Sequence, residues 1–244
     1  MKVYIQSDTK YIPCNYNFFS AYQAYREMGL EIVCFNNLEE LNTSAREDIV
    51  VGYVGTVRQR LLDFNIRTPE IDYPKELINY LGRRVWHSDL NTINSSPQLW
   101  PVFMKPVEDK KFTGIVVNSV KDLIGCGNCY DRDEVPVICS EIVNFVAEWR
   151  CFVRYGKVLS VRPYKGDWHI SYNSKVIENA VKEYKSAPNG YAIDFGVTSD
   201  GKTLLIEVND GYSLGSYGLF YIDYAKLLSA RWAELTGTED QCNF

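Results

Sequence analysis

The sequence predicts an α+β protein with a small α/β unit over residues 1–98 and a larger α+β unit over 99–244. Three observations predict it. Strand and helix signals alternate through the first hundred residues. After Trp100 strands come at close spacing as hairpins, and helical segments lie beside them, which excludes a barrel. With 244 residues, 46% hydrophobic and 14% aromatic, the chain has the apolar surface for a substantial core and is not a disordered polymer.

In order, Val3–Gln6 reads as a strand, Phe18–Met28 as a helix closed by Gly29, and Glu31–Phe35 as a second strand. Ile49–Tyr53 is a short third strand, and Gly52-Tyr-Val-Gly55 leads into a helix over Thr56–Phe64 with Thr56 as its cap. A βαβ-like start of this kind predicts a parallel sheet. Its glycines lack the GxGxxG spacing of a dinucleotide fold. Residues 65–100 read as a connector around a helix near Glu76–Leu81. Further helices are expected near Ser119–Ile124, Val176–Tyr184 and Ile222–Leu235.

The net charge of −5 argues against a nucleic-acid groove, although a local basic cluster could still hold phosphates. No apolar run approaches the ~18 residues of a transmembrane helix. The start, Met1-Lys-Val-Tyr-Ile-Gln6, reads as a strand rather than a signal peptide, so a cytoplasmic protein is expected. Seven cysteines are an odd number and read as free thiols. Cys126-Gly-Asn-Cys129 has no partner motif and reads as a plain loop rather than a metal or redox site. His87 and His169 show no pairing motif and receive no role.

The most informative stretch is Tyr191–Asp210, two alternating strands around Asp200-Gly201. A two-residue loop there sets Ser199 opposite Lys202 and Asp194 opposite Glu207. Asn209 shares their face. Phe195, Val197, Leu204, Ile206 and Val208 take the other. Two acids and an amide together suit Mg²⁺, which completes its shell with water and phosphates. A solvated polar strand face is the plainer alternative.

A second hairpin joins Glu148–Arg154 to Val158–Tyr164. A three-residue loop, Tyr155-Gly156-Lys157, aligns Trp149, Cys151 and Val153 with Pro163, Val161 and Leu159 on one apolar face. Arg150 then lies opposite Arg162, a repulsion that a bound polyanion would offset unless both arginines are solvated. Upstream, Val102-Phe-Met-Lys-Pro106 is a short strand carrying Lys105, where lysine is seldom placed without a partner. Lys110 and Lys111 follow in a turn beside Thr113 and Gly114, whose backbone could approach a phosphate. A further strand runs over Phe112–Val117. Cations, an expected Mg²⁺ and a flexible cover are the parts of a phosphoryl-transfer site.

The order Phe103-Met-Lys-Pro106, Lys111-Phe-Thr-Gly114, Ser140-Glu-Ile-Val143, Glu148-Trp-Arg150, Arg162, Asp194 and Glu207-Val-Asn209 resembles the ATP-grasp superfamily. More narrowly it resembles the clade named for a characteristic arginine and two lysines, often met in bacterial and phage genomes. The resemblance covers residues 100–236 and implies two α+β subdomains gripping ATP, with 1–98 as a pre-ATP-grasp domain. It implies that Lys105 holds an inner phosphate and that Lys110 or Lys111 reaches phosphate from a loop. Glu141, Ile142 and Val143 would bind adenine and ribose, with Glu148 also at the nucleotide. Asp194, Glu207 and Asn209 match the family's Mg²⁺ ligands, for two ions. Arg150 and Arg162 would steady the transferred phosphate. The loop departs from the family in having Glu108-Asp-Lys-Lys111 where many members are glycine-rich.

The reaction implied is ATP-dependent ligation of a carboxylate to an amine or another nucleophile through an acyl phosphate, on an amino acid or peptide. The loop after the metal strand, with Tyr212, Ser213 and Ser216, reads as a mobile acceptor surface beside the γ-phosphate. Two other readings stand beside this one: a nucleotide-binding regulatory module without turnover, and a small-molecule phosphotransferase.

Overall fold

The computed structural model describes residues 1–107, 111–126 and 135–244. In chain order the elements are β1 (Lys2–Gln6), α1 (Tyr16–Glu27), β2 (Glu31–Phe35), β3 (Ile49–Val51), α2 (Val54–Asp63), β4 (Val85–Asp89), α3 (Leu90–Asn94), β5 (Val102–Pro106), β6 (Ile115–Val117) and β7 (Pro136–Ser140). The remainder are β8 (Phe145–Arg154), β9 (Lys157–Gly166), α4 (Ser174–Glu183), β10 (Gly190–Thr198), β11 (Thr203–Asp210) and α5 (Tyr221–Thr236). Residues 1–80 and 145–244 form one unit, and 81–144 form a second.

The first unit contains a three-stranded parallel sheet, β2-β1-β3, as the βαβ-like start predicts. It also contains an antiparallel sheet ordered β11-β10-β8-β9. Helix α1 starts at Asn15, whose side chain accepts the Phe18 N–H. Its buried face, with Ala21, Ala24 and Tyr25, packs against α5, and the Tyr25 hydroxyl donates to the Ala225 carbonyl at 2.8 Å. Phe152 of β8 and Ala192 of β10 join the same core. All but the last residue of β10 are buried, because both faces of this central strand are covered. The second unit is the antiparallel sheet β4-β7-β5-β6 around Val102, Met104, Val117, Val137 and Cys139.

The structure corrects several local expectations. Helix α2 begins at Val54 with Tyr53 at its N-cap, so Thr56 is not the cap; the Tyr53 N–H instead donates to Gln6 Oε1 at 2.9 Å. The segments at Lys75–Tyr80 and Val120–Leu123 are 3₁₀ turns rather than α-helices. Strand β6 starts at Ile115, not Phe112. Residues 65–100 are more than a connector, because β4 lies within them. It pairs with β7, across the expected boundary at 98/99.

Both hairpins reach the expected register by a different route. Between β10 and β11, Thr198 N–H bonds Lys202 O and Gly201 has φ +79°, so the loop has three residues rather than two. A bulge at Ile206 shifts the register by one residue and brings Asp194 back opposite Glu207. Leu205, not Leu204, therefore fills the core position. Between β8 and β9 the loop has two residues, Tyr155 and Gly156, both at positive φ, and not three. A bulge leaves Leu159 unpaired and sets Arg150 opposite Arg162. The pattern of burial fixed register at the centre of each hairpin, and each turn was accommodated by a bulge.

Candidate functional site

Successive register pairs run straight across the antiparallel sheet. Glu207 of β11 faces Asp194 of β10, Asp194 faces Arg150 of β8, and Arg150 faces Arg162 of β9. Paired residues share a face. Four ionisable side chains thus form one row, two acids followed by two guanidiniums.

The middle of the row is dry. Asp194 is 2% exposed and Arg150 7%. Arg150 Nε donates to Asp194 Oδ1 at 2.8 Å and Nη2 to Oδ2 at 2.7 Å, the two-bond geometry of an ionised pair. Burial opposes the Arg150 charge, but the bonds to Asp194 outweigh it and hold the guanidinium above its ordinary value. Burial pushes the Asp194 carboxyl upward against the pull of Arg150, and the Glu207 charge adds to the push. Asn209 Nδ2 donates to Asp194 Oδ2 at 3.1 Å. The like charge of Arg162 is thus offset within the protein itself, and the reading of Arg150 as solvated is corrected.

Two guanidinium groups in the row keep unused donors. Among the described residues Arg162 Nε is buried with no hydrogen-bond partner, and Arg150 has bonds only from Nε and Nη2. A buried donor without an acceptor is costly, and an anion at Arg162 Nε would satisfy it and could also take the spare Arg150 Nη1. Glu148, two residues before Arg150, accepts from Lys165 Nζ at 2.5 Å.

The donor set for a cation is hard oxygen: Asp194, Glu207 and Asn209 converge from two adjacent strands. Asp194 Oδ2 already accepts from both Arg150 and Asn209, and Oδ1, bonded only to Arg150 Nε, keeps a second lone pair. Buried Asp194 beside half-buried Glu207 fits a cation, which Glu207, Asn209 and Asp194 would hold. No cluster of three His, Cys, Asp or Glu suited to a metal occurs among the described residues.

In the second unit Lys105 lies on β5 opposite Ile138 of β7. Lys111 precedes β6, while Lys110 lies outside the described residues. Gly114 packs on the Phe103 ring and the Lys105 stem, where a Cβ would stand 2.8 Å from the ring, so a side chain and not a ligand requires this glycine. Glu141 follows β7, and its carboxylate accepts the Arg84 N–H at 2.9 Å. Ile142 is exposed and Val143 half-buried.

The loop after β11 is pinned rather than mobile. Tyr212 and Ser216 are buried. Arg58 Nε donates to the Tyr212 hydroxyl at 2.6 Å, Ser213 Oγ donates to the Gly52 carbonyl at 2.8 Å, and Ser216 N and Oγ both donate to Asn17 Oδ1. The half-exposed residue is Tyr217, whose ring lies over the Arg150 guanidinium at 4.7 Å. Sequence reasoning missed Arg58 and Asn17, and it counted Tyr217 only as one of the two tyrosines of the acceptor loop. The described cysteines are free, and burial pushes Cys139 to about 11 and Cys151 to about 12, leaving both unreactive at neutral pH. Cys129 lies outside the described residues.

The architecture is similar to several solved structures. An L-amino acid ligase from Bacillus licheniformis matches at 12% identity and TM-score 0.59, over 95% of this chain and 75% of that one. N5-carboxyaminoimidazole synthetase from Staphylococcus aureus matches at 12% and 0.58, over 98% and 77%. D-alanine–D-alanine ligase from Bacillus anthracis, complexed with ATP, matches at 14% and 0.53, over 98% of each. No curated protein sequence matches at a significant level. The class these features define is the ATP-grasp fold. Within it the chain belongs to the R2K clade, family 2, whose ATP-grasp domain profile matches residues 80–227. The expected superfamily and clade are both borne out. No helix among the described residues is long and apolar enough to cross a membrane.

Proposed function

We propose that this protein is an ATP- and Mg²⁺-dependent ligase that joins a carboxylate to an amine, or a similar nucleophile, on an amino acid or peptide. The observation that carries this reading is the row Glu207–Asp194–Arg150–Arg162, in which acids meet arginines that retain unused donors. Membership of the ATP-grasp family supports ATP as the phosphoryl donor.

In the first step a carboxylate oxygen of the substrate attacks the γ-phosphorus, the bond to the β-bridging oxygen breaks, and ADP leaves. In the second the nucleophile's nitrogen attacks the acyl carbon, inorganic phosphate departs, and the nitrogen loses a proton. The transferred group carries its charge on equatorial oxygens, and fixed cations in a dry site stabilise that charge with little reorganisation. Arg162 Nε and Arg150 Nη1 supply those donors. Asp194 holds the Arg150 plane. Mg²⁺, when bound, neutralises phosphate charge, and Glu207, Asn209 and Asp194 would hold it. Lys105, with Lys110 or Lys111, contacts phosphate oxygens, and Glu141, Ile142 and Val143 contact adenine and ribose, with Glu148 also at the nucleotide. Tyr212, Ser213 and Ser216 shape the acceptor side by pinning its loop, since their hydroxyls are engaged inward.

The test is a mass-spectrometric screen for amide products with ATP, Mg²⁺ and mixed amino acids and peptides, run beside an ADP assay. ADP is expected only with a productive pair, and Arg162→Ala is expected to lower its release about 10²–10³-fold with nucleotide binding retained. Unchanged release in that variant overturns the assignment.

A further inference from the structure

We propose that Tyr217 is a positioning residue for Arg150, clamping the face of the guanidinium whose edge Asp194 clamps. The proposal rests on the reading of Arg150 and Arg162 as the phosphate-facing pair. Tyr217 adopts φ +42°, a left-handed conformation unfavourable for a residue with a bulky side chain. Such strain persists only where the surroundings over-determine it, and here they do. Ser216 is fixed from behind by two bonds to Asn17 Oδ1, at 3.0 and 2.9 Å, and its carbonyl accepts the Leu219 N–H at 2.8 Å. Gly215 gives way in front, since a Cβ there would lie 2.9 Å from the Tyr217 ring.

The loop therefore delivers an aromatic ring to one place, 4.7 Å over Arg150 and 5.4 Å from the ring of Tyr164. Packing alone does not account for this, because Tyr217 remains 48% exposed. A strained backbone that keeps a large ring half in water has its reason in what the ring touches, and that is a cation. With its face stacked and its Nε–Nη2 edge bonded to Asp194, Arg150 can turn only its Nη1 edge to an anion. Tyr217 fixes that direction and screens the charge from water.

The experiment compares Tyr217→Ala, Tyr217→Phe and Gly215→Ala in the full chain. Arginine side-chain Nε–H signals are followed by ¹⁵N NMR, MgATP affinity by calorimetry, and ADP release with the mixed amino-acid pool. Tyr217→Ala is expected to speed exchange of the Arg150 Nε–H about tenfold, and to lower ADP release about 10–30-fold with MgATP affinity within about threefold. Tyr217→Phe keeps the π face and is expected to match wild type in all three. Gly215→Ala displaces the ring and should behave as Tyr217→Ala does. Wild-type exchange at Arg150 in Tyr217→Ala overturns the proposal, whatever the rate, and so does a wild-type rate with fast exchange. Full ADP release in Arg162→Ala would instead overturn the underlying reading of the site.

Discussion

Asp194 and Arg150 are register partners on β10 and β8, and the same two side chains close the step with bonds of 2.8 and 2.7 Å. The pair is nearly dry, and Glu207 stands on the far side of Asp194. Removing the guanidinium leaves a buried carboxylate beside a second acid. Arg150→Ala should therefore lose about 3–5 kcal/mol in urea unfolding, the cost of breaking a buried pair from one side. Replacing both partners, as Arg150→Met with Asp194→Leu, should recover most of it. Arg162 has no such partner, and Arg162→Ala should cost no more than about 1 kcal/mol. Equal losses for the two arginines would contradict the division of labour between them.

Glu207 is the acid of the row that Arg150 does not grip, and it is expected to respond most to magnesium. Nucleotide at a hundredfold excess over its dissociation constant stabilises a native state by about 2.7 kcal/mol. Wild type should show a gain of that order with MgATP, and a much smaller one with ATP and EDTA. Glu207→Gln keeps the shape and loses the charge, so its stability should be nearly indifferent to magnesium. A full magnesium-dependent gain in Glu207→Gln, read from thermal melts, would remove Glu207 from the ligand set.

Asp240 predicts an acid limb of stability away from the site. Burial alone would raise its carboxyl, but Ser229 Oγ at 2.5 Å, Arg154 Nη2 at 2.8 Å and the Tyr155 hydroxyl at 2.8 Å outweigh it and hold the group below its ordinary value. The native state thus binds a proton less readily than the unfolded chain. Its contribution is complete above the unfolded value, about 3.9, and fades as pH falls through the lower folded value. Urea midpoints taken from neutral pH into acid should fall less steeply for Asp240→Asn than for wild type. Parallel slopes would show that Asp240 carries no proton linkage.

What the sequence disclosed follows from which forces are local. Asp194 opposite Glu207, and Arg150 opposite Arg162, were legible because alternation of apolar and polar residues selects the register within a hairpin. The loops were misjudged in both hairpins, and the bulges at Ile206 and Leu159 were invisible, since a bulge leaves composition unchanged. The contact of Asp194 with Arg150 was not legible. Strands β8 and β10 are not joined by a turn, so nothing local sets their register. Strand β4, Val-Trp-His-Ser-Asp, has no clean alternation and takes its conformation from β7. The hydroxyls of Tyr212, Ser213 and Ser216 looked available because their partners Arg58, Gly52 and Asn17 lie more than 150 residues away.

The junction of β10 with α5 gives the last prediction. A Cβ on Gly190 would stand 2.4 Å from the Leu227 carbonyl oxygen and 3.3 Å from the Arg231 backbone nitrogen. Both are backbone atoms, so no rotamer change relieves the clash, and the helix itself must move. Helix α5 carries Arg231, whose guanidinium holds both oxygens of Asp210 at 2.6 Å, and a shifted helix strains that pair as well. Gly29 offers the contrast: its φ is +80°, but nothing lies within 4 Å of the added carbon. Gly29→Ala should cost about 1–2 kcal/mol, the backbone penalty of a left-handed residue. Gly190→Ala should cost about 3 kcal/mol, at the upper end for an overpacked core. Equal unfolding free energies for the two variants would mean that α5 yields to β10 without resistance.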